Sequence, residues 1–287
     1  MAENYVLFTD SACDIHPEKL AEWNVKMIPL AFLFTDTGIE QKEHEEPVKE
    51  FFKAMRAGRI AKTSCVNEDA FEIAFTEILE AGKDILYLGF STGLSATCEH
   101  GKKVADRLAK KYPERTIRVI DSLSASAGQG LFVYLGAQNR DAGMSLEVNA
   151  SALERQILHV CHWFTVDDLV YLKRGGRVSA ATALLGSALN VKPVLHVDNE
   201  GHLIKITQVH GRKKSIRKMA EKLGETILPD SPIFISHGDC IEDAEMLRDI
   251  LKTEYDKEVT LITYIGSVIG AHAGPGTLAL FFLGTER

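Results

Sequence analysis

The sequence has few cysteines, and their arrangement argues against two kinds of scaffold. No two of the five form a C-x-x-C pair, and they are scattered at Cys13, Cys65, Cys98, Cys161 and Cys240. Because structural zinc sites use closely spaced cysteines, such a site is disfavoured, and an odd count argues against a disulfide framework. We expect reduced thiols, as in the cytoplasm.

The sequence also lacks an excess of positive charge and a long apolar run. Its 33 Lys and Arg residues stand against 40 Asp and Glu residues, so the net charge of −7 argues against nucleic-acid or anionic-membrane binding. The most apolar stretch near the carboxyl end, TLALFFLG, is far too short to cross a bilayer. The first ten residues, MAENYVLFTD, have no basic region, so we expect no signal peptide, no stable membrane insertion and a cytoplasmic location.

The overall composition is typical of a globular protein. Apolar residues make up 45% and charged residues 25% of 287 residues, which is enough for one large domain or two ordinary ones. The first half repeats an apolar run, a Ser/Thr/Asp/Gly turn and a helical pattern, as in YVLFTDSACDI, DILYLGFSTGLS and TIRVIDSLSAS. Alternating strands and helices predict a mostly parallel sheet with flanking helices. Two of these helices are clear: one has its apolar stripe over 48–55 and ends near Gly58, and the other begins after Asn67 and ends near Gly82.

The second half has a different pattern. Two strand-like runs flank DNEG at 198–201, which indicates a hairpin, and helices then alternate with strands. We therefore predict an α/β protein with an N-terminal α/β domain over 1–155 and a C-terminal α+β domain over 156–287. A segment near 60–80 is a candidate for packing with the C-terminal domain.

The stretch GFSTG at 89–93 fits G-x-S-x-G, the nucleophile elbow of α/β hydrolases. A hydrolase would need an acid such as Asp121 or Asp239 and a base such as His237 or His272. The alternative is a polar turn whose hydroxyls cap a helix starting near Leu94. Both interpretations of Ser91 stay open on the sequence alone.

The capping interpretation also predicts an anion site. Ser95 lies in the expected first turn, and Thr63 and Ser64 precede the helix that Asn67 caps. Helix amino termini offer free N–H groups and partial positive charge, so two such clusters together would cradle one anion.

Two further segments are candidates for ligand contact. The pair Gly175–Gly176 lies among Lys173, Arg174 and Arg177, either as a basic loop aimed at an anion or as a solvated turn before a helix that begins near Ser179. The apolar segment 180–189 is then either deeply buried or lines an apolar cavity. His272 lies in a glycine-rich stretch, where it either touches a ligand or is structural. We assign His162 and His196 to packing or to the surface.

The helix that begins with GRKKSIRKMAEK carries a basic face. It is either a solvated face or a docking patch for an acidic partner or a phosphorylated head group, with Arg212, Lys213 and Lys214 at its start.

Seven motifs occur together and in order: FTDSACDI, KTS (62–64), STGLSAT (91–97), VIDSLSASAGQG, YLKRGGRVS, LNVKPVL and GSVIGAHAGPGTLAL. This set resembles the DegV family of bacterial fatty acid-binding proteins and spans nearly the whole chain. The resemblance implies two α/β domains with a long-chain fatty acid, such as palmitate, in an apolar tunnel between them.

The resemblance also implies roles for individual residues. Thr63 and Ser95 would hold the carboxylate, His272 and Arg177 would contribute around it, and Ser64, Ser91 and Gly93 are further candidates. The protein would be a carrier in lipid metabolism, without catalytic residues, metal or cofactor, that presents the fatty acid to a fatty acid kinase through the basic helix.

Three features depart from the family pattern, and one of them is TSCVN at 63–67, which replaces the commoner TSQPS. Ala96 stands where glycine usually follows the carboxylate-binding serine, and Cys98 stands where an aromatic is usual. The resemblance therefore does not determine the preferred chain length or unsaturation. No G-x-x-x-x-G-K-[ST] motif is present, so we expect no ATP site of that type in the chain itself.

Overall fold

The computed structural model describes residues 5–178 and 190–287, in which strands form two large sheets and one small sheet. The predicted helix over 180–189 and its expected start at Ser179 lie outside the described residues. The described helices are α1 (Pro17–Glu22), α2 (Val48–Arg56), α3 (Glu68–Glu80), α4 (Thr97–Lys111), α5 (Ala127–Asp141), α6 (Leu146–Glu154), α7 (Val170–Arg174), α8 (Arg212–Thr226), α9 (Ile241–Tyr255) and α10 (Ser267–Ala273). Short 3₁₀ turns cover Ser11–Cys13 and Ile157–His159.

The N-terminal sheet is fully parallel, as its continuous apolar strands predict. Its order is β2–β1–β6–β7, with β1 at Tyr5–Asp10, β2 at Val25–Ile28, β6 at Asp84–Gly89 and β7 at Ile117–Asp121. The loop after β6 carries the GFSTG motif, so the parallel topology places that motif at the carboxyl edge of the sheet. Ligands of open α/β sheets bind at that edge.

The C-terminal sheet is mixed, which confirms the predicted change of architecture. Its order is β10–β9–β8–β13–β11–β12, with β8 at Val160–Thr165, β9 at Val191–Val197, β10 at Leu203–His210, β11 at Phe234–His237, β12 at Leu261–Tyr264 and β13 at Leu278–Leu283. Only β11 and β12 pair in parallel, and β9 and β10 form the predicted hairpin around Asp198–Gly201.

Helix α5 lies between the two large sheets. It contacts β1 and β6 on one side and β8, β11 and β13 on the other. Leu131, Phe132 and Val133 are consequently fully buried in a core that both sheets share. Ser126, just before the helix, has a positive φ of 54° and donates its hydroxyl to the Asp14 carboxylate.

A small antiparallel sheet, absent from the sequence prediction, orients the KTS motif. Its order is β4–β3–β5, with β3 at Ala31–Phe34, β4 at Glu40–Lys42 and β5 at Ala61–Ser64. Together with α2 it forms an aromatic cluster that includes Phe32 and Phe51, and this cluster packs on Ile265 and Ala271 from the C-terminal half. Thr63 is thereby held against α10. The domain boundary near residue 155 stays a prediction.

Two buried acids bind the amino end of α10. Asp14 Oδ1 accepts the Gly266 N–H, and Glu43 Oε1 accepts the Val268 N–H, each at 2.9 Å. Burial raises the pKa of both carboxyls, that of Glu43 to about 7. Because Glu43 follows β4, this contact ties the small sheet to the helix that carries His272.

The ends of the early helices agree with the sequence signals. The Asn67 side chain accepts the Ala70 N–H at 2.9 Å and caps α3, and Gly82 follows its end with a φ of +72°. Gly58 follows α2 with a φ of +91°. These two helices confirm that local capping chemistry sets their ends.

Candidate functional site

A cavity of about 340 Å³ lies between the C-terminal sheet, α10 and the loop after β6. Most of its wall is apolar and includes Leu30, Phe90, Leu94, Phe164, Leu172, Val268 and Phe281. Its polar lining includes Thr63, Ser95, Arg177 and His272. The structure therefore brings four predicted head-group residues to the wall of one apolar cavity, whose volume suits a small-molecule ligand.

Thr63 and His272 form a hydrogen-bonded pair at this wall. Thr63 Oγ1 lies 2.8 Å from His272 Nε2. Burial, followed by the charge of Arg177, lowers the pKa of His272 to about 4. The imidazole is therefore neutral near pH 7 and carries a single N–H.

The surroundings of His272 indicate which nitrogen holds that proton. Nδ1 is buried without a hydrogen-bond partner among the described residues and faces the Cα of Gly175, where an added Cβ would clash with it. A proton on Nδ1 would point at a C–H group that cannot accept it. We infer that the proton is on Nε2 and is donated to Thr63. The Thr63 hydroxyl is then free to donate its own proton to a guest in the cavity.

Ser95 precedes α4, so the expectation that it lies in the first turn of a helix is wrong. Helix α4 begins at Thr97, three residues after Leu94, because residues 91–95 form a separate turn closed by the Ser95 N–H to the Ser91 carbonyl at 3.0 Å. Ser95 Oγ accepts the Thr97 N–H at 3.3 Å and lies 3.0 Å from Thr97 Oγ1. Thr97 Oγ1 also accepts the Val66 N–H at 3.4 Å, which joins the two Ser/Thr segments.

Arg177 turns into the protein, and most of its hydrogen-bonding capacity is used there. Its Nε and Nη2 donate to the Leu94 carbonyl at 3.2 and 3.0 Å, and Nη1 donates to the Gly175 carbonyl at 2.5 Å. Burial lowers the pKa of its guanidinium, which nevertheless remains charged. These contacts use three of the five N–H groups. Arg177 thus supports the 94–95 turn and adds positive charge at the cavity wall.

Ser64 also lies at the wall, but its hydroxyl has another partner. Ser64 Oγ donates to Glu40 Oε2 at 2.9 Å on the exposed side of the small sheet. A group already bound to a carboxylate is a poor donor to a second one. Its predicted head-group contact is therefore disfavoured by this geometry.

Ser91 and Gly93 pack away from the cavity, which contradicts their predicted head-group contact. Ser91 is fully buried, and its Oγ donates to the Gly201 carbonyl in the β9–β10 turn at 3.0 Å. Its Oγ also accepts the Gly93 N–H at 3.2 Å. A Cβ on Gly93 would lie 2.8 Å from the Gly201 carbonyl oxygen, so only glycine fits this close approach without a shift. The hydroxyl thus joins the two halves of the chain and caps no helix.

The hydrolase interpretation fails on the same geometry. Asp121 accepts bonds from the backbone and side chain of Thr92, His237 Nδ1 accepts a backbone N–H, and His272 bonds to Thr63. Asp239 forms an ion pair with an arginine of α2. In the described part of the chain, no histidine activates Ser91, so the G-x-S-x-G match is a turn and not a nucleophile elbow.

His162 lines the cavity, although its sequence context predicts only packing or a surface position. Its side chain is 2% exposed, lines the cavity, and has no hydrogen-bond partner for either ring nitrogen among the described residues. His196 behaves as expected: its ring stacks on Trp163 at 4.2 Å, and its Nδ1 contacts the His162 carbonyl oxygen.

The basic helix α8 is largely neutralised within the protein. Arg212 Nε donates to Asp243 at 2.9 Å and its Nη2 donates to the Gly276 carbonyl at 2.6 Å, so this geometry disfavours its predicted docking role. Three further cations of α8 form ion pairs with glutamates: Arg217 with Glu254, Lys218 with Glu221 and Lys222 with Glu225. Lys213 and Lys214 remain exposed.

The described residues, 5–178 and 190–287, contain no cluster of three or more His, Cys, Asp or Glu residues that could hold a metal ion. Among them, no helix has the length and apolarity needed to cross a membrane.

Comparison with known proteins gives one consistent result. A family model described as "Uncharacterised protein, DegV family" matches residues 4–285. A DegV domain-containing protein from Clostridium perfringens is 40% identical over 288 residues, covering 99% of each chain.

Two solved structures are similar over almost their whole length. One is a DegV family protein from Thermus thermophilus described by its fatty acid binding, with a TM-score of 0.86, 27% identity and coverage of 98% of this chain and 99% of its own. The other is DegV, a fatty acid binding protein from Bacillus subtilis, with a TM-score of 0.83, 27% identity and coverage of 99% of this chain and 100% of its own.

Proposed function

Because this chain belongs to the DegV family, we propose that it binds a long-chain fatty acid such as palmitate in the cavity described above. The carboxylate would bind at Thr63 and Ser95, and the acyl chain would lie against the apolar wall. The Thr63–His272 pair at 2.8 Å carries this proposal, because it orients a hydroxyl donor at the wall of an apolar cavity. The fatty acid binding of the two similar solved structures supports it.

The energetics favour an acyl chain over a small polar ligand. Each buried methylene contributes about 0.8 kcal/mol, so roughly fifteen contribute about 12 kcal/mol before the costs of association. Those costs remove several kcal/mol, which still leaves tight binding. The head group then sets the orientation of the ligand and adds to its affinity through the hydroxyl donors.

The polar wall suits a carboxylate that stays charged. Hydroxyl donors at Thr63 and Ser95, together with the positive charge of Arg177, stabilise the ionised form. Neutral His272 holds the direction of the Thr63 hydroxyl and adds no charge of its own. The protein would thus act as a carrier, with no chemistry of its own.

Mass spectrometry of the freshly purified protein tests this function. Native spectra should show an adduct with the mass of a fatty acid, and a Thr63→Val, Ser95→Ala double variant should lose most of it. Ser64→Ala is the matched control, because it removes a neighbouring hydroxyl that already bonds to Glu40. Equal occupancy in the double variant would move the head-group site elsewhere.

The finer proposal is that the bound carboxylate is presented to a fatty acid kinase. Its support is the family resemblance, together with the exposure of Lys213 and Lys214 at the start of α8. A Lys213→Glu, Lys214→Glu variant should retain palmitate while a cognate kinase phosphorylates the bound acid more slowly. Unchanged phosphorylation would exclude these lysines from docking. The cytoplasmic location stays a prediction.

A further inference from the structure

Arg287 joins three segments of the chain through its half-buried guanidinium group. Its N–H groups donate to four carbonyl oxygens and one hydroxyl, which belong to Val160 (3.0 Å), Leu123 (2.9 Å), Asp198 (3.2 Å), Ile157 (2.6 Å) and Ser124 (3.4 Å). Burial lowers the pKa of Arg287 to about 10, so the group is still charged near pH 7. These five bonds equal the five N–H groups that a guanidinium has, so the side chain is fully engaged within the protein.

Each of the three segments continues into the cavity wall within two residues of its bond to Arg287. The loop after β7 contributes Ala125, β8 contributes His162, and β9 contributes Val197, and we call these three residues the far wall. They lie together. Gly128, where an added Cβ would clash with the His162 ring, donates its N–H to the Ala125 carbonyl at 3.1 Å, and the antiparallel pairing of β8 with β9 brings Val197 next to His162.

The far wall is separated from the carboxylate site along β8. Thr165 lies at the other end of this strand, where its partner Leu278 follows Thr277, whose hydroxyl donates to a carbonyl at the end of α10. Three residues of strand separate Thr165 from His162, which is about 10 Å at 3.3 Å per residue. Because the end of α10 carries His272, the far wall meets the acyl chain away from its carboxylate.

The loop that carries Ala125 has a backbone conformation that needs support from outside. Leu123 and Ser126 have positive φ angles of 46° and 54°, which residues other than glycine rarely adopt. Such conformations persist only where surrounding contacts hold them. Arg287 supplies two of these contacts, at Leu123 and Ser124, and ties the same loop to β8 and to the β9–β10 turn. One side chain thus sets the relative positions of all three parts of the far wall.

We infer that Arg287 is a positioning residue that fixes the far wall and thereby limits the length of the acyl chain that the cavity accepts. This inference rests on the proposed function. A methylene that fits into the cavity gains affinity by burial, whereas one that meets a fixed wall cannot be buried. Without the bonds of Arg287 the three segments can separate, so the far wall should yield to a longer chain.

Affinities measured as a function of chain length test this inference. Delipidated protein is titrated with the even-numbered saturated acids from octanoate to arachidate. In the natural protein, the affinity should rise with length to an optimum and fall for the next acid, whose last carbons meet the far wall. In Arg287→Met, the affinity of that longer acid relative to the natural optimum should rise about tenfold, because each of two methylenes contributes about fourfold. Octanoate, whose chain ends before the far wall, should bind both proteins equally.

Two further variants separate positioning from general stability. Arg140→Met is the matched control, because Arg140 likewise donates to backbone carbonyls, those of Trp23 and Asn24, which are not among the described residues that line the cavity. It should lower the urea midpoint of unfolding and leave the dependence on chain length unchanged. Arg287→Lys keeps the charge with fewer N–H groups, so it should give an intermediate result. It carries the test if Arg287→Met does not fold.

The outcomes distinguish this inference from the proposed function. If Arg287→Met lowers the affinity for every acid by one factor, or leaves the dependence on chain length unchanged, Arg287 is only structural and fatty acid binding still stands. An equal shift in Arg140→Met, or an affinity of the natural protein that keeps rising through arachidate, also contradicts the inference. If the natural protein binds none of these acids, the proposed function itself fails.

Discussion

The contact between Gly175 and His272 gives a prediction in which a remote methyl group changes ligand affinity. Gly175 ends α7 with φ −72° and ψ −12°, a conformation that alanine adopts readily. An alanine Cβ would nevertheless clash with His272 Nδ1 and lie 3.0 Å from its Cγ, so the ring has to move. We expect Gly175→Ala to break the 2.8 Å bond between His272 and Thr63 without weakening the local backbone.

The size of the effect follows from the bond that is lost. A neutral hydrogen bond contributes about 0.5–1.5 kcal/mol, so the affinity for palmitate should fall roughly twofold to tenfold. Calorimetric titration of delipidated protein measures it, and urea unfolding measures stability. Gly176→Ala is the control. Its φ of +70° makes alanine strained, but an added Cβ would have no atom within 4 Å and so would not touch His272. It should lower stability and leave palmitate affinity unchanged.

A double-mutant cycle isolates the route of this effect. In a Thr63→Val background the hydroxyl that His272 orients is absent, so Gly175→Ala should have no further effect on affinity. If Gly175→Ala binds palmitate like the natural protein, the His272–Thr63 bond does not contribute to affinity. If the glycine substitution lowers affinity equally with and without the Thr63 hydroxyl, its effect does not pass through that bond.

Three other predictions follow from buried groups. Burial raises the pKa of Glu43 from 4.5 to about 7, so its contribution to stability is present below 4.5 and is lost as the pH rises through 7. Glu43→Gln cannot ionise, and its unfolding free energy should therefore fall less over this pH window; identical pH profiles would contradict the burial argument. Ser91→Ala should lower the free energy of unfolding by about 1–3 kcal/mol in urea, because the buried Gly201 carbonyl loses its hydrogen-bond donor. Palmitate binding should persist. Ala279→Leu fills part of the cavity and should weaken stearate more than laurate in competition titrations, by about fourfold for each methylene excluded; an equal loss for both would show that the acyl chain does not reach Ala279.

Features that depend on local chemistry were predictable from the sequence. Asn67 and Gly82 mark the ends of α3 because the cap and the left-handed residue act within one helical turn. The parallel and mixed sheets follow from continuous apolar strands in the first half and a hairpin in the second. Thr63, Ser95, Arg177 and His272 were named from motifs, and all of them line one cavity.

Sequence-based predictions failed where a side chain bonds to a residue that is distant in the sequence. Ser91 looked like a nucleophile or a helix cap, but its hydroxyl bonds to Gly201, which is 110 positions away. Arg212 looked like part of an exposed basic face, yet it bonds to Asp243 and the Gly276 carbonyl. The start of α4 was misplaced because the turn at 91–95 has a helix-like bond of its own.

His162 shows a different limit of sequence reasoning. A histidine in an apolar strand usually signals packing, and nothing nearby in the sequence reveals whether its nitrogens have partners. Gly128, which leaves room for the ring, lies on α5 and not on β8. Only the fold shows that this ring lines a cavity.

A crystal structure of the delipidated protein soaked with palmitate would locate the bound acid. We expect its carboxylate within hydrogen-bond distance of Thr63 Oγ1 and Ser95 Oγ, with the acyl chain running through the cavity past Phe164 and Phe281. A carboxylate bound elsewhere, or a cavity that excludes the chain, would contradict this expectation.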